Sequence, residues 1–208
     1  MERMSREEMP VAEARELLAE AATSVGYPAP KARQLAEAAL WLERINARGV
    51  HSHLVYLILT RDLSFNARKP ARGDVYGLRC VCPIMMADLI VSKYRRQGLP
   101  EGIIGFEGPA APVLMASQLV ELARSRGHSI RLHAYNTRIV FGDMGFRFDG
   151  ADFGHFPMVD AGSCDPVGVE FIPAVEFPAP PALVTVKMSN VRVQMDQVQG
   201  LRRRAMAV

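Results

Sequence analysis

Apolar residues recur at spacings of three and four from Val11 to Val25, with Val11, Ala14, Leu17, Leu18, Ala21 and Val25 on one stripe, the period of an amphipathic helix. Pro10 suits the first turn of this helix and Gly26 its end. A second helix is predicted from about Pro30 to Arg48, with Leu35, Ala38, Ala39, Leu42 and Ile45 inward and Gly49 in the left-handed position beyond the last turn. The two form a helical hairpin. The next run, HLVYLILTRDL, is too continuously apolar for its period to decide, but Ser52 as a cap and the polar TRD at its end favour a buried helix.

Residues 64–74, SFNARKPARGD, read as a basic exposed loop and as a subdomain boundary. Beyond it the pattern shifts to short runs. DVYGLRCVC can supply a strand, PIMMADLIVSKYRRQ a helix opened by Pro83, GIIGFEG a strand, and PAAPVLMASQLVELARSRG a helix closed by Gly127. SIRLHAY, RIVFG and GFRFDG alternate apolar and polar residues as half-buried strands do, and Asn136 and Thr137 make a tight turn between the first two. Past Ala151, VGVEFI and ALVTVKM read as strands and PAVEFPAPPA as an extended crossing. The predicted class is α+β (or α/β), a helical N-terminal hairpin packed on a mixed β-sheet. Residues 1–63 would form a helical subdomain and 75–208 a mixed one, or the two a continuous domain.

Composition narrows the functional classes. At 208 residues, with 49% hydrophobic and 23% charged residues, the chain can bury an ordinary core. Its net charge of +3 is spread along the chain apart from Arg202, Arg203 and Arg204, read as a frayed, solvated tail, and this argues against nucleic acid as a partner. The charged N-terminus and the lack of a long apolar run argue against a signal peptide and a membrane span. Three cysteines, Cys80, Cys82 and Cys164, fit a reduced, cytoplasmic setting.

Four stretches could carry chemistry. In NARGVHSH, His51 and His53 would share a face on a strand but diverge on a helix, so the helical reading disfavours a joint metal site and leaves one histidine of interest. Cys80 and Cys82 form C-x-C without further ligands at a familiar spacing, so buried thiols are expected and no metal. In GIIGFEGPAAP, Glu107 and two prolines oppose a phosphate cradle. FGDMGFRFDGADFGHFP gathers Asp143, Asp149, Asp152 and His155, types that serve acid-base work but also hairpin turns.

The N-terminal segment through RGVHSH resembles the N-terminal helices of the malate, L-lactate and ureidoglycolate type of nicotinamide-dependent 2-hydroxy acid dehydrogenase, whose pattern is similar to R-G-V-x-S-H-G. Arg48, Gly49, Val50, Ser52 and His53 match it over roughly the first 60 residues. Leu54 stands where that family has glycine and Leu57 where it has a substrate-binding arginine, and its cofactor-binding segments have no counterpart. In its N-terminal helical pair, the CP that opens a helix at Cys82 and Pro83, and the proline-started helix leading into IRLHAY, the whole-chain layout also resembles a family of uncharacterised bacterial proteins of similar size.

These readings converge on a cytoplasmic small-molecule enzyme or ligand-binding protein, acting on a hydroxy or oxo acid. His53 and Ser52 are the expected catalytic residues, His53 exchanging a proton with the substrate oxygen, and Arg48 the expected substrate-binding residue. Residue patterns alone name no cofactor. The alternative is a non-catalytic subunit or homo-oligomer whose helical N-terminal region makes the interface, with Met85, Met86 and Met115 as adaptable contacts.

Overall fold

The computed structural model describes residues 6–69, 81–107, 111–134, 137–149, 166–177 and 190–205. A short strand β1 (Arg6–Pro10) leads into α1 (Val11–Ser24), α2 (Ala29–Arg44) and α3 (Gly49–Thr60). After a 3-10 turn at Asn66–Arg68 come α4 (Pro83–Gln97), β2 (Ile103–Glu107), a second 3-10 turn at Pro112–Met115 and α5 (Ala116–Arg124). Strands β3 (His128–Ala134), β4 (Thr137–Phe141), β5 (Phe146–Phe148) and β6 (Pro166–Pro173) follow, then β7 (Asn190–Gln194) and α6 (Met195–Ala205).

The molecule is α+β. Four of the strands join β2 in a five-stranded sheet of order β2-β6-β3-β4-β5, and β1 pairs β7 in a separate two-stranded ribbon. Every one of these pairings is antiparallel, so the sheet needs no crossover helix between neighbours. Helix α5 packs on β3 and against α2 and α4, while α1, α2 and α3 pack on one another. Trp41 of α2 and Phe141 of β4, with ring centroids 6.3 Å apart, tie the helical layer to the sheet. One apolar core runs from Met9 through Leu35, Leu54, Leu119 and Ile130 to Leu201.

The helical stripe expected in the first helix is buried at Ala14, Leu18 and Ala21, and all five inward positions expected in the second helix are buried. The second helix ends earlier than its sequence suggests. Asn46 and Arg48, with φ of 62° and 50°, take the left-handed turns of the corner, and Gly49 begins α3 instead of terminating α2. Packing imposes that glycine: a Cβ there would lie 1.9 Å from the carbonyl oxygen of Ala39 and 2.6 Å from Cβ of Leu42. Ser52 consequently sits one turn inside α3 and caps nothing. The Glu43 carboxylate accepts from the Val50 amide at 2.8 Å and takes over that task.

The triple arginine is not a frayed tail. Arg202 and Arg203 lie on α6, where Val198 and Leu201 are buried, Arg202 pairs with Glu20, and the helix packs against α1 and α3. The expected strands in DVYGLRCVC, up to Cys80, and in ALVTVKM, the Asn136 side of the tight turn, Asp152, His155 and Cys164 lie outside the described residues. No described helix is long and apolar enough to cross a membrane.

Candidate functional site

Ser52 and His53 are fully buried, and Arg48 is exposed at the corner before α3. His53 points into the helical layer, where Nε2 donates to the carbonyl of Leu18 at 3.1 Å, since a carbonyl only accepts. That bond fixes the tautomer and leaves Nδ1 buried without a hydrogen bond, as is Oγ of Ser52. Burial pushes the His53 pKa down to about 4, opposed only in part by the backbone of Leu18 and Leu35. Ser52 and His53 thus join the core while Arg48 stays in solvent, and no hydrogen bond or ion pair among the described residues connects the three.

A second buried polar cluster surrounds Arg68, which is fully enclosed. Its Nη2 donates to the carbonyls of Val25, Thr60 and Leu63 at 3.0, 2.6 and 2.7 Å. The guanidinium lies 4.8 Å from the ring centroid of Tyr27, whose hydroxyl bonds that of Tyr56. Burial, first, and then neighbouring Cys82 raise both phenol pKa values. Cys82 is a buried free thiol just before α4, and its amide donates to the Arg68 carbonyl at 2.8 Å. This cluster staples the loop after α3 to the helices and is closed to a ligand. No group of three metal-ligating side chains occurs among the described residues.

The arrangement with both chemistry and access lies on the second face of the large sheet. Ile130, Leu132 and Ala134 of β3 are buried in the core, so the alternate residues Arg131 and His133 point to the opposite side. The antiparallel register sets Glu170 of β6 beside Arg131, Gly168 beside His133, and Arg138 of β4 on the other flank of His133. Glu170 Oε2 accepts from Arg131 Nη1 at 2.8 Å and from His133 Nε2 at 3.1 Å. Arg131 Nε lies 2.8 Å from Asp149 Oδ2, so one guanidinium holds two carboxylates in place.

The electrostatics favour an ionised Glu170. The Arg131 hydrogen bond, helped by that of His133 and opposed by partial desolvation, holds its carboxyl below the usual range, and Glu170 in turn raises the Arg131 pKa. An ionised carboxylate only accepts, so Nε2 of neutral His133 is its protonated nitrogen and Nδ1 carries the lone pair. The side chains of His133, Glu170 and Arg131 keep 23%, 25% and 27% of their surface exposed. Beside them Ile103 leans over Gly168: a Cβ on that glycine would fall 2.6 Å from Ile103 Cγ2 and 3.4 Å from His133 Cβ. A Cβ on Gly105, the next residue along this row, would meet open space. An imidazole acceptor, a neighbouring arginine and an apolar wall therefore meet over a floor of glycines.

The sequence pattern marks SIRLHAY as a strand but gives it no site. The alternation that made it a strand already puts Arg131 and His133 on one face; the missing piece was Glu170, 37 residues from His133, whose partner depends on sheet order. Comparison with protein-family models, with curated proteins and with solved structures finds no match to this chain.

Proposed function

We propose that the protein binds and acts on a small hydroxy or oxo acid at the His133 site. In this reading His133 Nδ1 exchanges a proton with the hydroxyl or carbonyl oxygen of the ligand, and Glu170 stabilises the imidazolium that forms. Arg138, exposed and next to His133 across the β3–β4 pairing, holds the ligand carboxylate, and Ile103 lines its carbon chain. The observation that carries the reading is the shared Glu170 oxygen, which orients the imidazole with its basic nitrogen free. The division of labour is the one expected of His53 and Arg48, a proton carrier beside a carboxylate clamp, on groups that keep contact with solvent.

The interface alternative draws less support from the N-terminal helices. The exposed large apolar side chains among the described residues are Leu89, Ile103 and Met144, none of them on α1, α2 or α3. Met86 and Met115 are buried in the core and Met85 packs against it.

The test is a thermal-shift panel of two- to four-carbon 2-hydroxy and 2-oxo acids. A ligand at about a hundred times its dissociation constant adds about 2.7 kcal/mol of stability, or several degrees for a chain of this size. The shift is expected to vanish in Arg138→Gln and to weaken in His133→Gln, with both variants folded as the parent. A panel that moves nothing, or a shift that survives both substitutions, overturns the reading.

A further inference from the structure

Away from the His133 site, a cleft of about 480 Å³ opens between α2, α5 and the turn that joins β4 to β5. This is within the range of roughly 300–1,000 Å³ typical of small-molecule sites. Trp41 and Val120 supply apolar wall, and five charged side chains stand among the other lining residues. Three of the five are already paired: Glu37 with Arg15, and Arg124 with Asp143 at 3.5 Å. Arg33 of α2 and Glu121 of α5 remain, exposed and in no ion pair among the described residues. One uncommitted charge of each sign therefore borders the same cleft.

The polar wall between them is held in place. Gln118 in the wall of the cleft gives its amide hydrogen to Asp88 Oδ1 at 3.1 Å, which fixes the amide orientation. Its Oε1 is buried and accepts no hydrogen bond. Enclosed by the protein, that oxygen is out of a ligand's reach, so recognition in the cleft falls to Arg33 and Glu121.

We propose that this cleft binds a small zwitterion of the amino-acid type. Its carboxylate meets Arg33, its ammonium meets Glu121, and its apolar part lies on Trp41. A simple anion would leave Glu121 unanswered, and a simple cation would leave Arg33 unanswered. The site shares no residue with the His133 cluster, so either can fail alone.

Trp41 is the single tryptophan of the chain, so intrinsic fluorescence reports directly on the cleft. The probes are phenylalanine and two compounds that each lack one of its charges, phenethylamine and 3-phenylpropionate, titrated at millimolar concentration into the full chain. Phenylalanine is expected to change the Trp41 emission saturably, with each single-charge compound at least about tenfold weaker, the size of one lost charged hydrogen bond. Arg33→Gln should reduce phenylalanine to the affinity of phenethylamine, and Glu121→Gln to that of 3-phenylpropionate. The absence of a saturable change, equal binding of all three compounds, or unchanged affinity in both variants overturns the proposal.

Discussion

Two histidines on this chain meet opposite fates, and the difference lies in what each can do with a proton. His53 is sealed between α1 and α3 with one nitrogen on a carbonyl, whereas His133 shares a carboxylate at the surface of a sheet. For His53 the folded state prefers the neutral ring, so its pKa falls from 6.5 to about 4 on folding. The unfolded chain takes up the proton first. The stability His53 contributes is therefore full above pH 6.5, declines as pH falls and is gone below about 4, a loss of about 3 kcal/mol. His53→Gln should flatten this acid limb in denaturant melts run across that window; an unchanged slope would show that other groups set it. Glu170 acts in the same direction, because its lowered pKa gives stability at neutral pH that is lost as its carboxyl protonates.

At the scale of elements, most of what is local was legible. The stripe of α1, the proline opening α4 and the alternation of β3 each follow from a short run of side chains. The corner at 45–49 departs from its local signal: a glycine after an alanine-rich helix signals a left-handed terminus, yet here it answers a steric demand from Ala39 and Leu42 that no local pattern contains. The same logic separates two glycines experimentally. Gly49→Ala should destabilise by about 3 kcal/mol, since the new methyl would overlap backbone that cannot retreat. Gly200→Ala, within α6 and with nothing near its Cβ position, should stabilise by about 0.5–1 kcal/mol. Chemical denaturation of both variants checks the pair, and equal effects would refute the packing account. Of the candidate site, Arg131 and His133 are legible as one face of a strand and Asp149 as an acid-base candidate, while Glu170 and the pairing of both carboxylates with Arg131 are not, because only the folded sheet brings them together.

For the molecule as a whole, the C-terminal helix belongs to the same core as the N-terminal ones. Leu201 is buried and α6 packs on α1 and α3, whereas the Arg202–Glu20 pair is solvated on both sides. Leu201→Ala should therefore cost about 3 kcal/mol. Arg202→Ala should cost under about 1 kcal/mol, as exposed ion pairs do. A single cooperative melt lowered only by the first substitution is the expected result; comparable losses would place the weight on charge rather than on burial.

The β1–β7 ribbon pairs Arg6 with Gln194 and Pro10 with Asn190, and this has a consequence in time. During synthesis β1 must wait for about 180 further residues before β7 leaves the ribosome. Until then the flank of α1 that meets β7 and α6 stays uncovered. Closure across such a sequence separation is slow compared with helix formation, so the joining of β1 to β7 comes late in folding, and the chain that lacks β7 and α6 is the form most exposed to association.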